Sequence, residues 1–138
     1  FEEISEKNFL LDFKKNLNSL KFFKSIEIVY GLRNFIGNAN KYAKQNIFIT
    51  VESDKNFTNI VIEDDGAGFP KDILNKIGEP YLKSFTAKDE SKKGLGLGIF
   101  IGKTLLEKNN AKIIFTNSKK VSGAKISITW KNNDLLNL

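Results

Sequence analysis

Residues 31–43, GLRNFIGNANKYA, constrain the fold most, because a helical apolar stripe there carries polar side chains that a core helix does not need. Ile28, Leu32, Phe35, Ile36, Ala39 and Ala43 recur at i, i+4, i+7, i+8, i+11 and i+15, the period of a helix that buries one face. Asn34, Asn38 and Lys41 form a second stripe. At ~100° per residue they lie within roughly 60° of one another, so two carboxamides and an ammonium leave a rigid element in one direction. Such a set can hold a hydrated metal ion and phosphate oxygens, although Asn and Lys also occupy ordinary solvated helix faces. Asn amides compete with the backbone for hydrogen bonds, so two of them in mid-helix call for a reason.

The flanking sequence fits a sheet. Residues 7–13 (KNFLLDF) and 20–23 (LKFF) read as two strands joined by a turn, the first also compatible with a helix. Ser25 is placed to cap the central helix, with Glu27 near its positive end and the helix ending at 44–46. Alternation over 47–51 and 57–62 predicts a hairpin closed by the polar turn SDKN. The second strand runs into Glu63-Asp64-Asp65-Gly66-Ala67-Gly68-Phe69-Pro70, leaving an acidic pair at a sheet end beside backbone that a ligand can approach closely. A short helix is expected over 71–77, and residues 78–93 lack any period and suit a mobile lid. Gly94-Leu95-Gly96-Leu97-Gly98 then forms a turn opening onto a helix, whose spacing runs through Leu97, Phe100, Ile101, Thr104 and Leu105. Strands follow at 113–115 and 124–130, with a frayed tail at 131–138.

At 138 residues the whole chain, 1–138, is expected to be one domain. It begins at Phe1, which suggests a fragment of a longer protein. The complete absence of Cys and His leaves carboxylates, amides, hydroxyls and Lys as the chemical repertoire. The net charge of +6 comes from lysines scattered among acids, the pattern of a solubilised surface and not of a nucleic-acid interface.

A Gly-rich turn at a helix start presents unpaired N–H groups that suit phosphate, but the Lys-Ser/Thr pair of a P-loop is missing and no predicted strand precedes it. The specific signal is the ordered set: Asn-x-x-x-Asn, then Asp-x-Gly-x-Gly, then GxGxG. Residues 34–42 resemble the N box of the GHKL ATPases, and of sensor histidine kinases in particular; Asp64 to Gly68 resemble their G1 box and Gly94 to Ile99 their G2 box. GLRNFIGNA, GFPKDILNKIGEPY, GLGLGIFIGKTLLE and GAKISITW look most similar to the RegB-like redox-responding kinases.

The resemblance implies a Bergerat-type α/β sandwich, a mixed and mostly antiparallel sheet covered on one face by about three helices. It further implies that Asp64 accepts the adenine amine while Gly66 and Gly68 let backbone approach the base. Asn38, with Asn34 beside it, would hold Mg²⁺ on the phosphates of ATP. Lys41 would contact phosphate, Tyr42 would line the pocket, and Gly94, Leu95, Gly96, Leu97 and Gly98 would close over the triphosphate. The implied partners are a His-bearing dimerisation domain of the parent kinase and a downstream response regulator. The implied setting is a cytoplasmic domain of a membrane-anchored homodimer. Gly37 stands where many sensor kinases carry Glu or Asp, and Ile77 and Phe85 depart from the usual F box. The competing reading is an ATP-gated clamp or chaperone-like module, whose helix would carry a Glu where Asn34 stands.

Overall fold

The computed structural model describes residues 7–13, 25–72, 74–77 and 95–136. Five strands form one sheet in the order β1-β2-β3-β5-β4, with β1 at Asn8–Phe13, β2 at Asn46–Ser53, β3 at Phe57–Asp64, β4 at Lys112–Asn117 and β5 at Ala124–Lys131. Three of the four pairings are antiparallel, and β1–β2 is parallel. The expected mixed, mostly antiparallel sheet is therefore present. Of the hairpin expected between 7–13 and 20–23, the first strand is present as β1, which runs parallel beside β2, and residues 20–23 lie outside the described residues.

Register explains the core. Ile49, Ile62 and Ile126 lie side by side across β2, β3 and β5, as do Val51, Ile60 and Ile128, and all six are buried. Alternate residues reach the other face, so one face is apolar and the other wet. Helix α1 (Ile26–Tyr42) and α2 (Leu95–Lys108) cover the apolar face. They cross closely because Gly31 and Gly102 carry no side chain there. A Cβ on Gly31 would lie 2.6 Å from Leu106, and one on Gly102 would lie 2.7 Å from Phe35. Phe35 in turn meets Phe115 of β4 edge to face at 5.8 Å.

Ser25 caps α1 as expected, accepting from Ile28 N–H at 3.3 Å. The helix stops at Tyr42, short of 44–46, because Ala43 turns to extended backbone and the N–H groups of Lys44, Gln45 and Asn46 are taken by the carboxylate of Asp65. The helix expected over 71–77 is a single 3-10 turn at Leu74–Lys76. Helix α2 starts at Leu95, so Gly96 and Gly98 lie inside its first turns and not in a turn ahead of it; Gly94 and the proposed lid lie outside the described residues. The tail does not fray through Leu136. Lys131 pairs with Phe57, and helix α3 (Asn132–Leu136) buries Leu135. Asn132 anchors it to the β2–β3 turn: its N–H donates to Asn56 O, its Nδ2 to Asp54 O, and its Oδ1 accepts from Thr58.

Candidate functional site

Two groups of residues meet along α1, one at its C-terminal end and one at its middle. At the first, Asp64 is the last residue of β3 and keeps the strand's inward alternation, which carries its carboxylate into the apolar layer at 2% exposure. Both of its hydrogen bonds fall on Oδ1, from Gly66 N–H at 2.9 Å and Ala124 N–H at 3.3 Å; Oδ2 takes none from the described residues. Burial pushes its carboxyl pKa up, and although those two N–H groups and the cation of Lys7 oppose it, while Asp65 adds to it, the net shift is upward. A carboxylate kept at this cost points to a ligand that needs an acceptor there.

Its neighbour has a different task. Asp65 accepts from Lys44 N–H at 2.8 Å, Gln45 N–H at 3.0 Å, and Asn46 N–H and Nδ2 at 3.1 Å each. Burial raises its pKa, but these bonds outweigh that and leave it below the usual carboxylate range. Asp65 thus joins the end of α1 to β2 and is spent on structure.

Backbone closes in on Asp64 from both sides. A Cβ on Gly66 would sit 2.2 Å from Tyr42 O, and one on Gly123 would sit 1.9 Å from Asp64 O. Gly68 adopts φ +81°, and Asn117 grips the next residue with both ends of its amide, accepting from Phe69 N–H at 2.6 Å and donating to Phe69 O at 2.9 Å. The expected trio of Asp64, Gly66 and Gly68 is therefore assembled at one sheet end, with Tyr42 against it.

In the middle of α1, Asn34, Asn38 and Lys41 line a cavity of about 240 Å³ together with Arg33, Gly37 and Gly98. Asn34 donates through Nδ2 to Tyr30 O at 2.9 Å, which leaves its Oδ1 turned outward, 3.9 Å from where a Cβ on Gly98 would be. Lys41 Nζ lies 5.4 Å from the centre of the Tyr42 ring, linking the two groups. Among the described residues no cluster of three His, Cys, Asp or Glu side chains exists, so a cation here would rest on the two amide oxygens and on oxygens that a ligand brings. That donor set fits a hard ion which keeps several waters.

Of the expected G2-box residues, Gly98 lines the cavity, Leu97 is exposed and absent from its lining, Leu95 and Gly96 are placed only as backbone in α2, and Gly94 lies outside the described residues. Arg33 is the residue the sequence reading missed. It sits four residues before Gly37, on the flank of the Asn34, Asn38 and Lys41 stripe at ~100° from Asn34, so the spacing that selected Lys41 passes it over.

Together these groups can accept the amine of a planar base at one end and neutralise a phosphate chain at the other. Residues 24–134 match the family described as Histidine kinase-, DNA gyrase B-, and HSP90-like ATPase. The sensor histidine kinase RegB of Cereibacter sphaeroides is 38% identical over 97 residues, which is 67% of this chain and 21% of that protein. Sporulation kinase A of Bacillus subtilis is 32% identical over 82 residues, 59% of this chain and 12% of that protein. The chain thus spans about a fifth or less of the length of these curated relatives. Among solved structures, the mycobacterial sensor histidine kinase MprB superposes with a TM-score of 0.67 at 19% identity, covering 91% of this chain and 84% of that one. The catalytic domain of histidine kinase ThkA gives 0.68 at 20% identity, covering 91% and 80%; at such identities the likeness is one of fold. The match over 24–134 places the chain in the family of histidine kinase-, DNA gyrase B- and HSP90-like ATPases.

Proposed function

We propose that this chain binds Mg-ATP along α1 and presents the γ-phosphate to a histidine on a separate dimerisation domain, as the catalytic domain of a sensor histidine kinase. The observation that carries this reading is the spacing of the two groups on one helix. Tyr42 abuts the Asp64 end and Asn34 the cavity, eight residues or about 12 Å apart at 1.5 Å per residue, so a base held at Asp64 would carry its phosphate chain along α1 toward the cavity. Asp64 Oδ2 receives the exocyclic amine of adenine, beside the glycine backbone at Gly66 and Gly68. Asn34 and Asn38 would hold a Mg²⁺ ion through their amide oxygens, and Lys41 and Arg33 add positive charge. When bound there, Mg²⁺ would supply charge neutralisation of the phosphate oxygens.

No residue of the chain supplies the nucleophile this reading requires. The sequence contains no His, Gly37 has no side chain to orient a water, and Asn34 stands where a hydrolytic relative would carry its Glu base. Tyr30 on α1 and Leu97 and Ile101 on α2 stay exposed, apolar side chains that a helical hairpin bearing the acceptor His could cover. In the parent this partner would be part of a membrane-anchored homodimer that passes the phosphoryl group on to a response regulator. Among the described residues no helix is long and apolar enough to cross a membrane.

Incubating the chain with γ-labelled ATP, then adding the parent's His-bearing hairpin in trans, tests the reading. Label should reach the hairpin alone. Brisk phosphate release before the hairpin is added, or label on the chain itself, would establish a self-sufficient ATPase or ATP-gated module in its place.

A further inference from the structure

Between β4 and β5 the chain reverses through residues 118–123, and Ser118 organises that turn. Ser118 is 5% exposed, and its hydroxyl uses its full bonding capacity: it donates to Glu63 Oε2 at 2.5 Å and accepts from Lys120 N–H and Val121 N–H at 3.2 Å each. Its N–H donates to Gly123 O at 2.7 Å, and its carbonyl accepts from Ser122 N–H at 3.1 Å. Glu63 directly precedes Asp64 on β3. The bond therefore ties the turn, across 55 residues of sequence, to the strand position beside the buried carboxylate.

The far side of that turn holds Asp64. Gly123 packs so tightly on it that a Cβ would lie 2.4 Å from its Oδ1, and Ala124 N–H provides the longer of the two bonds to that oxygen. The terminal torsion of an Asp side chain is broad, so its rotamer alone does not decide which oxygen faces outward. Here the decision is made by two N–H groups, one on each side. Releasing the turn from Glu63 frees Gly123 and Ala124 to shift, and the 3.3 Å bond is the first to be lost.

We propose that Ser118 is a positioning residue that selects nucleotides bearing an exocyclic amine: through Glu63 it locks the β4–β5 turn, which pins Oδ1 of Asp64 and presents Oδ2 to the base. The inference rests on the reading that Asp64 accepts the adenine amine. Its test is the ratio of the affinities for ATP and ITP, since inosine places a carbonyl oxygen where adenine has the amine and so sets acceptor against acceptor. Ser118→Ala should lower this ratio about fivefold, the effect of loosening one charge-assisted hydrogen bond. Glu63→Ala should do the same while leaving Ser118 to accept from Lys120 and Val121, and it decides the matter if Ser118→Ala does not fold. Glu63→Gln, which keeps an acceptor oxygen, should hold the ratio. A merely structural role for the turn would weaken both nucleotides alike. An unchanged ratio in Ser118→Ala and Glu63→Ala, with the ratio collapsed in Asp64→Asn, overturns the inference and leaves the base reading standing. A ratio unmoved by Asp64→Asn overturns both.

Discussion

Replacing each of the adjacent aspartates in turn should give opposite results, because their shared sequence position hides opposite energetics. Asp64 is buried with its pKa raised, chiefly by burial, and Asp65 is held low by its ring of N–H donors. A raised pKa in the fold means that the folded state holds a proton the unfolded chain would release. Stability therefore falls as pH rises from the ordinary carboxylate value through the raised one, and stays reduced above it. Asp64→Asn removes that cost while its amide oxygen still accepts from Gly66 and Ala124. The variant should melt no lower than the parent at neutral pH. Its ATP affinity should nevertheless fall roughly 10- to 100-fold, since a hydrogen bond to a charged acceptor is worth about 1.5–3 kcal/mol and 1.4 kcal/mol is tenfold. Only the parent should lose ATP affinity as acid protonates Asp64. For Asp65 the sign reverses: its lowered pKa contributes stability above the unfolded value, lost as pH falls through the folded one. Asp65→Ala should cost about 1–2 kcal/mol, the scale of a lost cap, because three backbone N–H groups lose their acceptor. Thermal melts from mildly acidic to neutral pH, with calorimetric titration of ATP, read both. An Asp64→Asn domain that is destabilised at neutral pH, or that binds ATP as tightly as the parent, would refute this account.

Asn38→Ala should abolish the tightening of ATP binding by Mg²⁺ without loss of helix by circular dichroism, because Ala is the better helix former; an unchanged Mg²⁺ response would move the ion elsewhere. Of the α1 residues that line the cavity Arg33 lies farthest from Tyr42 along the helix, so Arg33→Ala should weaken ATP more than ADP, by about 1–2 kcal/mol for a lost charge-assisted contact, and equal losses for the two nucleotides would place it away from the γ-phosphate.

What the sequence made legible was what depends on local period. The stripe of Ile28, Leu32, Phe35 and Ala39 and the cap at Ser25 yield α1, and the alternation along 124–130 yields β5. What stayed hidden depends on contacts between residues far apart in sequence. The end of α1 is set by Asp65, about twenty residues on, whose carboxylate captures the N–H groups that would otherwise continue the helix. The partner of β1 is β2, about forty residues on, a parallel pairing that alternation within 7–13 does not encode. Glycines at 96 and 98 argue against helix by propensity, but close packing of α2 on α1, as at Gly102, outweighs a penalty of about 1 kcal/mol each. The site divides the same way. Asp64, Asn34, Asn38 and Lys41 stand in recognisable patterns, whereas Asn117 and Ser118 belong to no motif and act through partners 48 and 55 residues away.

The two halves of the site differ in how they are held, and that difference can be measured. The base end consists of sheet terminus and turn backbone packed around one buried carboxylate, whereas the other end consists of amide and cationic side chains on one helix, facing a cavity that Gly98 leaves open. Among the described residues no hydrogen bond joins Asp64 to Asn38; the link runs through Tyr42 and Lys41. Sites without shared partners contribute independently, and their effects add to within about 0.3–0.5 kcal/mol. The double variant Asp64→Asn with Asn38→Ala should therefore lose an ATP binding free energy equal to the sum of the two single losses, measured by titration at saturating Mg²⁺. Adenosine, which has no phosphate, should register the Asp64 change in full and the Asn38 change not at all. A coupling well above 0.5 kcal/mol would mean that seating the base places the phosphates. The two ends of α1 would then act as a single clamp, and the separate roles assigned to its residues would have to be withdrawn.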